Sequence, residues 1–213
     1  MIRAAVFDLD GTLLDTLDDL ADSANIALSE FCQPPRATSE IRLFVGNGVK
    51  KLVERMLGDQ PELVEPCMAR FKVLYQQHML DKTCAYPGVV PMLRALREAG
   101  VGIAVVSNKF DGAVGRLCDV LLPDLVDVAL GELPSLPRKP APDSTLMVLA
   151  MLDVMPSDAI YIGDSDTDVF TAHNAGLKCI GVTWGFRDRT HLLKAGADEI
   201  AENAQELLDL LLH

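Results

Sequence analysis

Two hydrophobic patterns alternate along the chain. Short apolar runs at residues 4–7, 101–106, 159–162 and 178–182 predict strands, and the apolar positions between most of them recur every three or four residues, as in helices. Such alternation is typical of a parallel sheet that is covered by helices on both faces. We therefore predict an α/β fold with a doubly wound parallel sheet.

One segment, residues 16–80, interrupts this alternation. It contains no strand pattern, and its apolar residues at 17–31 and 63–79 follow helical spacing. Prolines and glycines divide it into short helices, and Tyr86-Pro87-Gly88 returns the chain to the alternating pattern. We predict a second, small helical domain at 16–81, inserted into an α/β core that consists of residues 1–15 and 82–213.

Composition and charge limit the classes of protein to which the chain can belong. Of its 213 residues 49% are hydrophobic, which excludes a disordered chain and supplies a core without disulfides or a structural metal. No apolar run reaches the ~18 residues of a membrane span. The formal net charge of −12 disfavours contact with nucleic acid and with anionic lipid. The apolar run at 207–212 is expected to pack on the core, so we expect a monomer or a weak homodimer.

The cysteines and the first residues indicate the compartment. Five cysteines are an odd number without a CxxC pair, which is typical of reduced thiols. The N-terminal segment carries carboxylates at Asp8 and Asp10, where a signal peptide needs an unbroken apolar stretch. We therefore expect a cytoplasmic protein.

Two acidic motifs follow predicted strands near opposite ends of the chain. Asp8 and Asp10 come directly after the first strand and point to the same side of an extended chain. Asp164 and Asp168 come after the third strand. Each motif alone is also typical of a turn or a helix N-cap. In a parallel sheet, however, both strand ends lie at the edge where ligands bind, so we expect the four carboxylates to converge.

Converging carboxylates require a cation, because like charges a few ångströms apart repel by about 4 kcal/mol at an effective dielectric constant of about 20. Neither motif contains His or Cys, and oxygen ligands alone favour Mg²⁺ over zinc or copper. Ser107 and Asn108 end the second predicted strand, and Lys139 follows in a proline-rich loop. These three residues offer hydrogen-bond donors and a positive charge to an anion, although singly each is also a common turn or surface residue.

In chain order these features resemble the signature of the haloacid dehalogenase-like superfamily: Asp8-x-Asp10-x-Thr12, then Ser107, then Lys139, then Gly163-Asp164-x-x-x-Asp168. The resemblance covers the whole chain, and the helical insert is similar to the small cap of that superfamily. Residues 13–17 and 45–49 look most like the phosphoglycolate phosphatase subgroup. The resemblance implies a Rossmann-like core with a cap, and a Mg²⁺-dependent phosphatase for a small phosphorylated metabolite, with 2-phosphoglycolate as the first candidate.

The resemblance also implies a role for each motif residue. Asp8 would be the nucleophile that becomes an aspartyl-phosphate, and Asp10 would be the acid for the leaving group and then the base for water. Mg²⁺ would be bound by Asp8, the backbone carbonyl of Asp10 and Asp164, with Asp168 in support. The phosphoryl oxygens would be held by Thr12, Ser107, Asn108 and Lys139. With these charges the site stays net negative, which favours the proton that an acid at Asp10 must carry.

The predicted cap offers a second place for an anion. Gly46-Asn47-Gly48 precedes the helical pattern at 49–57, so free backbone N–H groups and Lys50 could face a substrate carboxylate there. Arg42 is a similar candidate one turn earlier. An equally good interpretation of this segment is a glycine-rich helix start at which the Lys50 side chain is exposed to solvent and binds no substrate.

Three other functions use related residues. A sugar-phosphate mutase of the β-phosphoglucomutase type resembles the phosphatase in motif and cap, and would be revealed by dependence on a bisphosphate activator. A phospho-acceptor signalling module also uses Asp, Mg²⁺ and Lys, but its acceptor lies mid-chain, whereas Asp8 lies at the start of this chain. A dehalogenase fits less well, since halide displacement without a metal gives Asp10 and Asp164 no purpose.

Overall fold

A computed structural model describes residues 2–212, so residues 1 and 213 of the predicted core lie outside the described part. The strands are β1 (Ala4–Phe7), β2 (Leu14–Asp15), β3 (Cys84–Ala85), β4 (Gly102–Phe110), β5 (Val128–Glu132), β6 (Ala159–Gly163), β7 (Lys178–Val182) and β8 (Glu199–Ala201). The helices are α1 (Leu17–Glu30), α2 (Thr38–Phe44), α3 (Val49–Leu57), α4 (Val64–His78), α5 (Val89–Glu98), α6 (Asp111–Leu121), α7 (Asp143–Met151), α8 (Asp166–Asn174), α9 (Arg189–Ala195) and α10 (Ala204–Leu212).

Six strands form one parallel sheet in the order β5-β4-β1-β6-β7-β8. The chain first adds β4 and β5 on one side of β1, and then crosses to build β6 to β8 on the other side. The boundary between β1 and β6 is therefore the point where the strand order reverses, which is where open α/β sheets bind ligands.

Alternating side chains place hydrophobic cores on both faces of the sheet. In β1, Ala5 and Phe7 belong to a core that includes α5, α6 and α10, whereas Ala4 and Val6 belong to a second core with α7 and α8. A strand buried on both faces reads as a continuous apolar run, which explains why β1 was recognisable from the sequence. The predicted doubly wound α/β fold is confirmed.

The helical segment lies between two short strands. Leu14 of β2 pairs with Ala85 of β3, and Asp15 pairs with Cys84, so the chain leaves and re-enters the core at the same place. Helices α1 to α4 fill the sequence between these strands and share the core on the β1 face that contains Phe7. We call residues 16–81 the cap; its division from the core as a separate folding unit stays a prediction.

The sequence pattern missed two strands of the large sheet, β5 and β8. Both are edge strands, and most of their residues are only partly buried, so their apolar alternation is weak. Strand β4 also continues beyond the predicted end at residue 106 as far as Phe110. Within residues 2–212, helices that combine the length and the apolar composition needed to cross a lipid bilayer are absent.

Candidate active site

The carboxyl ends of β1 and β6 bring the two acidic motifs together. Phe7 pairs with Ile162 across these neighbouring strands, and the Asp8 backbone N–H donates to the Ile162 carbonyl at 2.9 Å. Asp8, Asp164 and Asp168 each offer one carboxylate oxygen, and these oxygens lie within 4.8 Å of one another. The convergence that was predicted for these three carboxylates is present in the structure.

The start of helix α8 fixes Asp168 in this cluster. Ser165 is the N-cap residue, and its backbone N–H and hydroxyl donate to one Asp168 oxygen at 3.1 and 2.6 Å. The other Asp168 oxygen accepts from the Lys139 ammonium at 2.8 Å. Because both of its oxygens are engaged, Asp168 is suited to orient the cluster.

Lys139 supplies a buried positive charge to the same cluster. Its ammonium lies 3.0 Å from Asp8, 2.8 Å from Asp168 and 3.0 Å from the Val106 carbonyl, and the side chain is 3% exposed. Burial lowers the pKa of the Lys139 ammonium, but the neighbouring Asp168 and Asp8 carboxylates outweigh burial and hold it above its usual range. Lys139 therefore carries its charge at neutral pH.

The carboxylate cluster fits a divalent cation. Burial raises the pKa of Asp8 to about 7, and the Asp168 carboxylate adds to the increase. Burial, together with Asp168 and Asp8, also raises the pKa of Asp164 well above its usual value. Asp8 has one oxygen next to Lys139, and Asp164 has one oxygen that accepts from the Phe186 N–H at 2.6 Å. A second oxygen remains on each, and a hard dication bound there would relieve the repulsion.

Two glycines allow the backbone to close around Asp164. Gly11 has a φ of +87°, and a Cβ at this position would collide with the Asp164 carboxylate. A Cβ at Gly185 would collide with the Gly11 carbonyl and with Asp164. The loop after β7 therefore holds the Asp164 side chain from one side while the loop after β1 holds it from the other.

Asp10 belongs to a different set of contacts, which include a lysine that the sequence analysis missed. One Asp10 oxygen accepts from the Thr16 hydroxyl at 2.6 Å, and the Lys109 ammonium lies 2.8 and 3.0 Å from the two oxygens. The charge count made from the sequence omitted Lys109, so the site is less negative than predicted. A signal was present: Lys109 lies two residues after Ser107, and alternate residues of one strand share a face.

The predicted phosphate-binding residues occupy different positions. Ser107 lines the cavity beside the carboxylates, and the Thr12 hydroxyl is buried without a hydrogen-bond partner among residues 2–212. Asn108 does not have the phosphate-binding role that was predicted for its side chain. Its side-chain amide donates to the carbonyls of Gly46 and Lys139 at 3.0 and 3.1 Å, and its carbonyl accepts from the Lys139 N–H at 2.9 Å. Asn108 therefore supports Lys139 and contacts the cap, and has no side-chain donor left for a phosphoryl group.

A cavity runs from the carboxylates into the cap. Its cap wall is mainly apolar, with Gly46 and Gly48 at the start of α3 beside the following residues: Leu20, Val45, Val49, Leu52, Phe71 and Tyr75. Phe186 and Arg187 line it from the core. The cavity therefore has a polar floor, formed by the core, and an apolar roof, formed by the cap.

Two predicted cap cations do not reach this cavity. The Lys50 ammonium is 2.8 Å from Glu65 on the outer surface. The Arg42 guanidinium donates to the backbone carbonyls of Phe186 at 3.0 Å and Gly185 at 2.5 Å. Asn47 also faces other groups, since its amide donates to the Thr167 hydroxyl at 3.2 Å. These side chains are occupied by protein groups, which corrects the prediction that they contact substrate.

Arg42 and Arg187 instead form a reciprocal contact between cap and core. While Arg42 donates to the loop after β7, Arg187 of that loop donates to the backbone carbonyls of Arg42, Leu43 and Val45 at 3.0, 3.3 and 3.2 Å. We call this set of hydrogen bonds the arginine latch. Local sequence patterns could not reveal it, because its two halves lie far apart in the chain.

A comparison with known protein families gives one extended match. The family described as haloacid dehalogenase-like hydrolase matches residues 5–182. The chain is also similar to phosphoglycolate phosphatase 1 of Pseudomonas aeruginosa, with 34% identity over 222 residues that cover 97% of this chain and 78% of that protein. The family resemblance that was identified from the motifs is thereby confirmed.

Solved structures show the same architecture. A crystal structure from Lactobacillus delbrueckii subsp. bulgaricus, which bears a provisional phosphoglycolate phosphatase name, has a TM-score of 0.95 and 36% identity, and the match covers 99% of this chain and 98% of that one. CbbY from Rhodobacter sphaeroides, solved in complex with phosphate, has a TM-score of 0.83 and 27% identity, with 97% and 96% coverage.

Proposed function

Because the chain belongs to the haloacid dehalogenase-like hydrolase family, we propose that it is a Mg²⁺-dependent phosphatase of small phosphomonoesters, with 2-phosphoglycolate as its substrate. The observation that carries this proposal is the group of three converging carboxylates beside the buried Lys139. The relative from Pseudomonas aeruginosa, named phosphoglycolate phosphatase 1, supports the choice of substrate.

Asp8 is the nucleophile in this proposal. One of its oxygens attacks phosphorus, the bond from phosphorus to the leaving oxygen breaks, and an aspartyl-phosphate forms. Asp10 donates a proton to the leaving alkoxide in this step. Asp10 then takes a proton from water while the water oxygen attacks phosphorus. The acyl-phosphate P–O bond breaks, and inorganic phosphate and free Asp8 result.

The remaining groups hold charge and position in the proposed mechanism. Asp8, Asp164 and the backbone carbonyl of Asp10 would bind Mg²⁺, and Asp168 would keep Asp164 and Lys139 in place. When bound, the cation neutralises the carboxylates and polarises the phosphoryl oxygens. The hydroxyls of Thr12 and Ser107 would donate to those oxygens. The N–H groups of Lys139 already contact Asp8, Asp168 and the Val106 carbonyl, so Lys139 would attract the phosphoryl oxygens through its positive charge.

The test is phosphate release by the purified protein from a panel that contains 2-phosphoglycolate, hexose phosphates, nucleotides and pyrophosphate. We expect the highest kcat/KM for 2-phosphoglycolate with Mg²⁺, and a reversible loss of activity with a chelator. The variant Asp8→Asn should lose at least ~10³-fold in kcat because its amide cannot attack phosphorus. Asp15→Asn removes an exposed carboxylate and is the matched control.

Other outcomes would identify the competing functions. Turnover that depends on a bisphosphate activator would indicate a mutase, and a long-lived phosphoryl group on Asp8 without turnover would indicate a signalling module. Full activity in excess chelator would contradict the metal, and full activity of Asp8→Asn would contradict the covalent intermediate.

A further inference from the structure

The cationic side chains around the cavity differ in how many of their N–H donors are already bound to other protein groups. The Lys139 ammonium contacts two carboxylates and a backbone carbonyl, and the Arg187 guanidinium donates to three backbone carbonyls of the cap. Lys50 and Arg42, which the sequence suggested for a substrate carboxylate, are engaged elsewhere. Arg187 uses three of its five N–H donors on the cap carbonyls, and Lys109 is the cation of the cavity wall that contacts Asp10.

Lys109 lines the cavity and has one N–H donor that no carboxylate takes. Its side chain is 5% exposed, and its ammonium contacts the two oxygens of Asp10 at 2.8 and 3.0 Å. An ammonium has three N–H donors, and the Asp10 oxygens account for two of them. The charge also lies 4.4 Å from the ring centroid of Tyr75, so helix α4 of the cap covers it.

Tyr75 contributes a second unused polar group at the same end of the cavity. Its hydroxyl is buried and has no hydrogen-bond partner among residues 2–212, although the side chain lines the cavity. Burial raises the pKa of this hydroxyl to about 12 although the neighbouring Lys109 ammonium lowers it, so the hydroxyl remains a donor at neutral pH beside Lys109. The neighbouring wall residues Leu20, Leu52 and Phe71 offer a ligand no polar side chain. A buried polar group without a partner is costly, which favours a polar ligand here.

The position of Asp10 sets where such a ligand group would lie. An acid must come within about 2.6–3.2 Å of the leaving oxygen, and Lys109 lies within 3.0 Å of both Asp10 oxygens. Consecutive hydrogen bonds of about 3 Å therefore connect the leaving oxygen to Lys109. A carboxylate on the carbon attached to that oxygen falls within reach of the ammonium.

We propose that Lys109 and Tyr75 bind the carboxylate of the leaving group and thereby select phosphomonoesters that carry a carboxylate next to the ester carbon. We call these two side chains the carboxylate subsite. This proposal rests on the proposed phosphatase function. It assigns substrate selection to Lys109 at the end of β4 and to Tyr75 of α4, instead of to the basic residues Arg42 and Lys50 of the cap.

The test compares two substrates that differ only at this group. 2-Phosphoglycolate carries the carboxylate, and 2-hydroxyethyl phosphate replaces it with a neutral CH₂OH. We expect the wild-type protein to prefer the first. In Lys109→Met, kcat/KM for 2-phosphoglycolate should fall at least ~100-fold, mainly through KM, with a loss below ~10-fold for the neutral ester. Tyr75→Phe, which removes one hydroxyl, should raise KM several-fold for 2-phosphoglycolate alone.

Lys51→Met is the matched control, because it removes a lysine that pairs with Glu54 on the exposed face of α3. Equal loss on both esters in Lys109→Met would show that Lys109 acts only through Asp10 and would overturn the proposal. If Lys109→Met unfolds, Tyr75→Phe decides, since unchanged KM values there contradict the subsite. A wild-type protein that hydrolyses both esters equally contradicts the subsite but not the phosphatase. Hydrolysis of neither ester contradicts both.

Discussion

At the residue scale, two lysines contact three of the four motif carboxylates. Lys139 contacts Asp8 and Asp168 among the groups that fit a metal, whereas Lys109 contacts Asp10. The hydroxyl of Thr16 holds the same Asp10 oxygen that Lys109 approaches most closely. Asp10 is therefore positioned separately from the cluster, which suits a group that exchanges protons with the leaving oxygen and with water.

The variant Asp10→Asn tests this role. The amide keeps the size of the side chain but cannot donate the proton that an alkoxide needs. We expect kcat/KM for 2-phosphoglycolate to fall ~10²–10⁴-fold. The loss for an aryl phosphate, whose leaving group needs no proton, should be much smaller. Steady-state kinetics on both substrates measure the difference, with Asp8→Asn as the reference that loses both activities. Equal losses in Asp10→Asn would contradict the role of acid.

At the element scale, the strands that carry the motifs were predictable and the contacts between distant elements were not. The runs at β1, β6 and β7 are mostly buried and apolar, so the sequence predicted them almost residue for residue. The edge strands β5 and β8 lack that burial. Lys109 could have been found from its spacing to Ser107, but the pairing of Arg42 with the loop after β7 depends on how cap and core close, which periodicity does not encode.

The arginine latch connects the cap to a residue of the carboxylate cluster. Arg42 donates to the carbonyl of Phe186, whose own N–H donates to Asp164 at 2.6 Å. A loop held by the cap therefore also holds a carboxylate of the cluster. Loss of Arg42 should loosen both the closed cap and the position of Asp164.

We expect Arg42→Ala to raise KM for 2-phosphoglycolate by up to ~30-fold, since two hydrogen bonds of about 1 kcal/mol each are lost and every 1.4 kcal/mol corresponds to a factor of about ten. Amide hydrogen exchange should increase at residues 42–48 and 184–187, because these segments carry the latch. Arg70→Ala is the matched control: it removes an exposed ion pair with Glu30 inside the cap, which should change neither readout. Unchanged exchange at both segments in Arg42→Ala would contradict the latch.

At the scale of the whole molecule, the fold concentrates negative charge at one edge of the sheet. The chain carries a formal net charge of −12, and the order of the strands brings carboxylates from both ends of the sequence next to each other. Repulsion among buried carboxylates opposes folding whenever they are ionised. The arrangement that would bind the metal is therefore also a source of instability without it.

The repulsion among the buried carboxylates predicts how the free energy of unfolding depends on pH. Burial and the Asp168 carboxylate raise the pKa of Asp8 from 3.8 to about 7 in the folded protein, and the pKa of Asp164 is raised as well. Between pH 3.8 and about pH 7 the folded state binds more protons at Asp8 than the unfolded state does, so the metal-free protein loses stability as pH rises. The contribution of Asp8 levels off above about pH 7. One pKa unit corresponds to about 1.4 kcal/mol.

Thermal unfolding in chelator should show this loss as a Tm several degrees lower at about pH 8 than at about pH 5, since each kcal/mol moves Tm by roughly 2–4 °C at this chain length. Adding Mg²⁺ should raise Tm more at pH 8 than at pH 5, because the cation binds ionised carboxylates and competes with protons. Asp8→Asn removes one of the repelling charges, so it should flatten the pH dependence and reduce the effect of Mg²⁺. A metal-free Tm that rises between pH 5 and pH 8, or that is the same in Asp8→Asn as in the wild type, would contradict the buried repulsion.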